Sequence, residues 1–566
     1  MPDKDSGPSH DSSEATPAED RKAAKQRRKA KNALQTPKRG FFRSNLEAFT
    51  VAIVMALVIK TYAFEAFQVP TESMEPTIIG RTPGGDRIIV NKFVYEFRDP
   101  RRFEIVVFRY PLSRMVNYVK RLVGLPGEVL KIAHGDLYVS RDGGQFAVAR
   151  KSPQLADAIF EENPVIPEDV IDQIESNGFR EWWELPSASR SHIDNEAGVL
   201  ELDAGNASLM VATRKPINPE RRDQYAKDRA GKGDAQQKGA VGDLRVDLEV
   251  TPESGCDGVV IKIQDGTQPN LEIKLVLGVE GGAASKLTHG KIEVGNADLK
   301  KVALEKGEEV TIRLENYDDR IRVEVDGDEI CTYEYVQAWR EAPSPGVSQV
   351  SFGLTGGKAS FSKVGVWRDL YYTLYSPTQT DFTIPDGHYL FCGDNSANSL
   401  DARGWRVVGI RRRSDGRVLL GDLEAVSDSF DWPRRDNNPY FETEKITRDG
   451  RIVAGEITDD TPHFLDIHGN EWDLDSGDFD VIDLTKFGIP QGDPRILDLH
   501  GQERESLDEK QIAVPKITVS KLKALTSHTQ HSFFNYSLLM HYVPRDDIMG
   551  QANLIFWPPS RIGVIR

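Results

Sequence analysis

The sequence predicts a mainly β protein, with an N-terminal transmembrane helix, a β core and a β-sandwich inserted into that core. Three observations support this fold class. An apolar segment at residues 44–67 follows a basic tail. Short runs of alternating apolar and polar residues, separated by Gly, Pro and Asp, fill most of the chain beyond it. Six regular runs between residues 243 and 370 indicate a sandwich of jelly-roll type.

Length and charge limit the function classes. A chain of 566 residues exceeds one typical domain, so several modules are expected. Residues 1–45 hold 11 Lys/Arg and 6 Asp/Glu, a net charge of +5. Since the whole chain has a net charge of −16, the remaining residues carry −21. Because a nucleic-acid surface needs clustered positive charge, the acidic body argues against nucleic acid as a partner.

The N-terminal segments are predicted to be a tail and an anchor. Residues 1–43 have almost no large apolar side chains, which predicts a disordered tail. Within residues 44–67, the stretch AFTVAIVMALVIKTYAF holds one charge, Lys60, and is at the short end for a spanning helix. The block from Arg21 to Arg43 contains no acid, so the tail is expected in the cytoplasm and the body outside.

Two other interpretations of the apolar segment remain open. A buried core helix leaves the basic block before it unexplained. A cleavable signal peptide would have an unusually long leader of about 45 residues, and no good small-x-small site precedes Ser73. An uncleaved signal anchor is therefore favoured.

The body divides by pattern into alternating and irregular regions. Residues 68–145 are rich in short strand-like runs. Residues 146–242 are polar and mixed, with a helical pattern at 167–176, and are interpreted as a linker or insertion. The sandwich is assigned to residues 243–370. Residues 411–540 form a second acidic, β-leaning insertion without a strong period.

Two polar residues stand in contexts that suit nucleophilic chemistry. Ser73 lies in Gln68-Val69-Pro70-Thr71-Glu72-Ser73-Met74-Glu75-Pro76, directly after the apolar segment. A serine hydroxyl needs a base, and a lysine serves when burial favours its neutral form. Lys120 lies in an apolar strand-like run, Tyr118-Val119-Lys120-Arg121-Leu122-Val123. Taken alone, a serine in this context is most often a turn residue, and a lysine such as Lys120 is most often solvated on an edge strand.

Four segments in order resemble the motif boxes of type I signal peptidases. They are the run through Ser73, Gly85-Asp86-Arg87-Ile88-Ile89-Val90-Asn91-Lys92, the run through Lys120, and Gly393-Asp394-Asn395-Ser396-Ala397-Asn398-Ser399-Leu400-Asp401-Ala402-Arg403. The resemblance assigns residues 68–145 and 383–410 to a signal-peptidase-type β core. A third piece, 541–566, contains the Val543-Pro544 that resembles the family's continuation.

The resemblance implies a role for each matching residue. Ser73 would be the nucleophile and Lys120 the general base. The Thr71 hydroxyl and the Ser73 backbone N–H would form the oxyanion hole. Ser399 would orient the lysine amine. Three further residues would hold the last motif in shape: Asp394, Asp401 and Arg403.

The resemblance also implies partners and a location. The substrates would be secretory preproteins whose signal peptides end in small residues. The protein would be a single-pass protein of the plasma or inner membrane, in contact with lipid, with its catalytic domain outside the cytoplasm. No cofactor and no metal are expected, because no H-E-x-x-H pair occurs. One disulfide, between Cys256 and Cys331, remains open.

Two alternatives remain to be weighed against this enzyme. In the first, the core is catalytically degenerate and presents the sandwich to an unknown ligand of the cell envelope. The intact Ser73 and Lys120 argue against degeneration. In the second, the chain is an autocleaving Ser/Lys protease of the repressor type, but such proteins are soluble and bind DNA.

Overall fold

The computed structural model describes residues 63–80, 85–217, 240–268, 271–336, 346–374, 381–427, 463–473, 479–499 and 536–566, together with 22, 25–26, 46, 49–55, 445–446 and 452–453. Most of the predicted tail and anchor lies outside the described residues. The chain divides into two units, Met1–Phe64 and Glu65–Arg566. No helix in the described part of the chain is long and apolar enough to cross a membrane.

From Phe64 onwards the described chain is mainly β structure with three short α-helices. The helices are α1 (Pro153–Glu161), α2 (Glu168–Asp172) and α3 (Ser176–Trp182). The first seven strands are β1 (Phe64–Gln68), β2 (Arg87–Asn91), β3 (Ile105–Tyr110), β4 (Ser113–Gly124), β5 (Val129–Ala133), β6 (Asp136–Ser140) and β7 (Ala147–Val148). The next thirteen are β8 (Trp183–Glu184), β9 (Ser191–Asp194), β10 (Val199–Thr213), β11 (Leu244–Pro252), β12 (Gly258–Asp265), β13 (Leu271–Val279), β14 (Lys286–His289), β15 (Ile292–Glu293), β16 (Ala303–Leu304), β17 (Val310–Tyr317), β18 (Arg320–Val325), β19 (Asp328–Glu334) and β20 (Gln349–Arg368).

The remaining strands follow the sandwich. They are β21 (Asp381–Thr383), β22 (His388–Cys392), β23 (Arg406–Arg412), β24 (Val418–Ser427), β25 (Lys445–Ile446), β26 (Ile452–Val453), β27 (His463–Asp466), β28 (Glu471–Asp473), β29 (Phe479–Ile482), β30 (Leu538–Leu539), β31 (Val543–Pro544), β32 (Ile548–Trp557) and β33 (Gly563–Val564). Single-turn 3-10 helices lie at Glu72–Met74, Phe93–Glu96, Leu299–Lys301, Ser396–Asn398, Leu484–Phe487, Pro494–Leu499, Arg545–Asp547 and Pro559–Arg561.

The first core sheet joins strands from both ends of the chain. Its order is β1-β2-β32-β3-β4-β22-β31, with β33 paired to β32. Strand β32, near the C-terminus, therefore lies between β2 and β3. Strand β3 buries four apolar side chains in succession, at 105–108, as expected for a strand covered on both faces. A separate small sheet, β21-β5-β6-β7, extends this region.

The predicted second insertion leaves the core and returns beside its starting point. Arg406 of β23 pairs with Leu539 of β30, and Tyr389 of β22 pairs with Val543 of β31. Strand β31 thus lies in the same sheet as Lys120, which is on β4. The predicted boundary at 410/411 falls inside β23, because that strand continues to Arg412 and opens a six-stranded sheet.

The sandwich is built around one long strand. Strand β20 pairs with β12 through its first half, with β11 through its second half, and with β10 across its middle, from Ser351 to Phe361. It bends at Gly356 and Gly357, whose φ angles of 66° and 54° favour glycine. The bend lets one strand pair with different neighbours on each side of it. The predicted alternation at 243–370 corresponds to strands β11 to β20.

The predicted separation of a linker from the sandwich is not observed. Strand β10 lies within the region assigned to the linker, residues 146–242, yet it pairs with β20 of the sandwich sheet. Helix α1 and strand β10 also contribute buried residues to the sandwich core. The prediction missed β10 because its middle, residues 205–208, is exposed and irregular in register and interrupts the apolar residues on either side. The helical pattern at 167–176 appears as α2 and the start of α3.

All three cysteines are buried and free. The structure therefore contains no bridge between Cys256 and Cys331. Burial raises the pKa of the Cys256 thiol, and it raises that of Cys331 as well. Both thiols belong to the hydrophobic core of the sandwich.

Candidate active site

Ser73 lies in a turn that is fixed by backbone contacts. It is the middle residue of the 3-10 helix Glu72–Met74 and is buried. Val69, just before the turn, donates its N–H to the Asp86 carbonyl at 2.9 Å. A Cβ at Gly80 would lie 2.1 Å from the Thr71 carbonyl oxygen, so only glycine allows this close approach. The nucleophile candidate therefore has a defined backbone position.

Lys120 approaches Ser73 from strand β4. Its Nζ donates to Ser73 Oγ at 2.6 Å and to the Val119 carbonyl at 3.0 Å. The side chain is 4% exposed, and burial disfavours the charged form of an amine. The Nζ also lies 5.2 Å from the centre of the Tyr118 ring. The two residues that sequence reasoning paired are thus in direct contact.

The predicted oxyanion groups lie next to the Ser73 hydroxyl. Thr71 Oγ1 is 3.1 Å from Ser73 Oγ. Ser73 is in the first turn of its helix, where backbone N–H groups have no intrahelical acceptor. The structure places the Thr71 hydroxyl and this N–H close together, while their role in catalysis stays a prediction.

The last motif, residues 393–403, packs directly against the 3-10 turn Glu72–Met74, which is named the nucleophile turn because it carries the candidate nucleophile. The Asn395 N–H donates to the Ser73 carbonyl at 3.1 Å, and Asn395 Nδ2 donates to the Glu72 carbonyl at 3.2 Å. A Cβ at Gly393 would lie 2.2 Å from Ser399 Oγ and 2.3 Å from the Ser73 carbonyl oxygen. Asn395 and Gly393 are in the motif quoted from the sequence, but sequence reasoning gave them no role.

Ser399 lies beside Gly393, close to the site. Its Oγ is buried and forms no hydrogen bond to Lys120 among the described residues. The side chain instead touches the Gly393 backbone. Its predicted role in orienting the amine stays a prediction.

Two buried ion pairs hold the last motif. Arg121 donates to both oxygens of Asp394 at 2.7 Å, and both side chains are fully buried. Arg403 donates in the same two-point manner to Asp401, again at 2.7 Å. Burial alone would raise the pKa of Asp401, but the Arg403 charge outweighs it, so the pKa is lowered. Bidentate pairs of this kind fix geometry as well as charge.

Sequence reasoning missed the partner of Asp394. Arg121 follows Lys120 directly, and alternation along a strand places the two side chains on opposite faces of β4. A buried arginine requires a partner, so the pattern carried a usable signal. Thr77 Oγ1 also donates to Asp394, at 2.5 Å, which connects the pair to the nucleophile turn.

A group of acidic side chains lies at the junction of the core and the sandwich. Carboxylate oxygens of Asp136, Asp243 and Asp318 are within 4.8 Å of one another. Lys151 Nζ already binds Asp318 at 2.6 Å and Asp369 at 2.8 Å. Burial, and then the charges of its acidic neighbours, raise the pKa of Asp136. The group is an internal charge network with one lysine at its centre.

A buried lysine amine in contact with a serine hydroxyl is one arrangement that can activate a serine as a nucleophile. Comparison with known proteins adds a family match for the segment that contains both residues. Residues 42–171 match the family described as signal peptidase, peptidase S26.

The match to individual relatives is partial. Signal peptidase I of Pseudomonas fluorescens is 40% identical over 97 residues, which are 15% of this chain and 33% of the relative. Signal peptidase I of Pseudomonas aeruginosa is 38% identical, with the same coverage. The chain thus spans about a third of the length of these curated relatives.

Solved structures resemble about a third of this chain, and only loosely. A carbohydrate binding module from Bacillus subtilis is similar at 9% identity and a TM-score of 0.21, covering 33% of this chain and 94% of that one. A score of this size carries no argument about ligands.

Proposed function

We propose that the chain is a membrane-bound serine endopeptidase that removes signal peptides from exported preproteins after small residues. The observation that carries the proposal is the buried contact of 2.6 Å between Lys120 Nζ and Ser73 Oγ. The family match of residues 42–171 supports the choice of substrate class.

The mechanism follows from this contact. Neutral Lys120 accepts the Ser73 proton as the oxygen attacks the scissile carbonyl carbon, and the carbonyl becomes an oxyanion. The Thr71 hydroxyl and the Ser73 N–H donate to that oxyanion. The lysine then protonates the leaving amine, which releases the mature chain and leaves the signal peptide as an ester on Ser73. Lys120 next deprotonates a water molecule, which hydrolyses the ester and restores the serine.

The surrounding residues act on position. Asp394 with Arg121 and Asp401 with Arg403 hold the last motif against the nucleophile turn. In this proposal Ser399 meets the lysine amine when substrate is bound. No step uses a metal or a cofactor.

Membrane attachment is part of the proposal. The apolar segment 44–67 would anchor the chain in the plasma or inner membrane, with the basic residues 1–43 in the cytoplasm. The core would then act at the outer surface, where preproteins emerge. Protease added to intact spheroplasts should digest the body, and full protection of the body would reverse this orientation.

The test is cleavage of a purified preprotein in detergent, with the products identified by mass spectrometry. The wild-type chain should release a signal peptide that ends in a small residue, and folded Ser73→Ala should release none. A folded wild-type chain that leaves several preproteins intact would sink the proposal and favour a degenerate core that presents the sandwich.

A further inference from the structure

A stack of aromatic rings connects the second insertion to Lys120. The rings of Tyr110 and Tyr118 are stacked, 4.5 Å apart and 4° from parallel. The Lys120 amine lies over the Tyr118 ring, with its nitrogen 5.2 Å from the ring centre. The Trp405 ring packs against both tyrosine rings, and its centre lies 4.9 Å from that of Tyr110 and 5.9 Å from that of Tyr118. The orientation of Tyr118 therefore depends on what fixes Tyr110.

The second insertion supplies that fixed point. Tyr110 is fully buried and its hydroxyl donates to Asp422 Oδ2 at 2.7 Å. Asp422 is itself buried, and it belongs to β24, a strand of the six-stranded sheet beyond the core. A buried tyrosine hydroxyl needs a partner, and a carboxylate is a strong acceptor. The bond joins positions 312 residues apart.

We propose that Asp422 is a positioning residue for Lys120, acting through Tyr110 and Tyr118. The inference rests on the proposed function and deepens it, because it makes the second insertion part of the machinery that holds the base. Asp422 fixes the Tyr110 hydroxyl, Tyr110 fixes the plane of Tyr118, and the face of Tyr118 packs against the Lys120 side chain and sets its position. Small displacements of a reacting group are costly in rate, so a hydrogen bond distant from the chemistry affects turnover.

The acidic side chains near the Lys120 amine form ion pairs with arginines within the core. Asp394 is held by Arg121, and Asp401 by Arg403. Cys392 lies near both acids and Lys120, and its thiol is fully buried with a pKa raised by that burial. Changes at Tyr110 and Asp422 leave these groups untouched, so their effects report on the aromatic stack.

The kinetic test separates positioning from stability. Tyr110→Phe should lower kcat by about tenfold with KM unchanged, because the ring remains but its fixed point is lost. Asp422→Asn keeps an acceptor oxygen and should stay near the wild-type kcat. In the double variant Tyr110→Phe, Asp422→Leu neither end of this hydrogen bond remains, and its melting temperature is measured beside its kcat. Its kcat should remain as low as that of Tyr110→Phe. Recovery of kcat together with melting temperature would overturn the proposal.

Tyr95→Phe is the matched control. The Tyr95 hydroxyl also donates to a carboxylate, Glu104, at 3.0 Å, but its ring contacts Arg98 and Arg545. This variant should lose stability with no change in kcat. A kcat lowered as far as in Tyr110→Phe would show a general effect of core hydroxyls and would contradict the inference.

A second readout does not depend on cleavage. The titration of the Lys120 side chain, followed by NMR and assigned with Lys120→Arg, should change in Tyr110→Phe, since the Tyr118 ring moves relative to the amine. It should not move in Tyr95→Phe. An unchanged titration in Tyr110→Phe would overturn the inference even if the wild-type chain cleaves preproteins. A wild-type chain that cleaves nothing would instead sink the proposed function, and the titration would still decide this inference.

Discussion

Lys120 Nζ and Ser73 Oγ lie 2.6 Å apart, although 47 positions separate them in the chain. The contact forms because the turn after β1 lies against β4, and because the last motif supports the turn from behind through Asn395. Single substitutions can disrupt these contacts one at a time, and each substitution has a different expected effect on cleavage or stability.

Gly393→Ala should slow cleavage without unfolding the chain. The added Cβ would meet both Ser399 Oγ and the Ser73 carbonyl at under 2.5 Å, so the nucleophile turn must shift. We expect kcat to fall by about 100-fold. Gly178→Ala is the control, because its Cβ would meet a side chain at an ordinary 3.4 Å. A Gly393→Ala enzyme as fast as the wild type would show that the turn tolerates displacement.

Asp394→Asn should destabilise the core strongly. It leaves the Arg121 charge fully buried without its bidentate partner, which costs about 3–5 kcal/mol. Asp298→Asn breaks an exposed pair with Lys301 and should cost less than about 1 kcal/mol. Urea denaturation measures both variants. Equal small losses would mean that the buried pair contributes no more than a surface pair.

Asp136→Asn should stabilise the chain progressively as pH rises. The folded-state pKa of Asp136 is raised by burial and by acidic neighbours, so its favourable contribution is complete below the unfolded pKa and is lost as pH rises through the folded pKa. The variant has no such loss, and its melting temperature should exceed the wild-type value near pH 8 by about 2–4 °C.

Asp142→Asn is the control for this trend. Asp142 is exposed, and backbone and side-chain hydrogen bonds, first from Gly144 and then from Ser140, lower its pKa. Its contribution is therefore complete at mildly acidic pH and does not change from there to pH 8. Thermal melts between pH 5 and 8 compare the two variants, and an Asp136→Asn difference that is the same at every pH contradicts the prediction.

Thr71→Val should reduce kcat by about 10²–10³ with little change in folding, because it removes one oxyanion donor and keeps a β-branched shape. Thr71→Ser restores a hydroxyl and should recover much of the rate. If Thr71→Val turns over as fast as the wild type, the oxyanion is stabilised by other groups.

The strands of the sandwich were predictable from the sequence because apolar residues alternate with polar ones along them. Runs such as Leu244–Pro252 and Gly258–Asp265 alternate clearly, and they form strands at those positions. Strand β10 escaped prediction because it is interrupted by an exposed, irregular middle. Its membership of the sheet follows from pairing with β20, which lies about 150 residues further on.

The residues of the candidate site likewise include some that the sequence predicted and some that it did not. Ser73 and Lys120 were found through ordered motifs, and the structure brings them together. The pairing of Arg121 with Asp394 and of Tyr110 with Asp422 depends on long-range folding. No local pattern identifies such partners, because they come from separate segments of the chain.

The most direct test of the central claim is the cleavage rate of Lys120→Arg. The guanidinium keeps a positive charge on a side chain of similar length but does not lose its proton in the working pH range, so it cannot accept the Ser73 proton. With a purified preprotein, and with folding verified by circular dichroism, we expect no cleavage above that of Ser73→Ala. The wild-type rate itself should fall as pH is lowered, because only the neutral amine acts as base. Appreciable cleavage by folded Lys120→Arg would contradict the assignment of Lys120 as the general base.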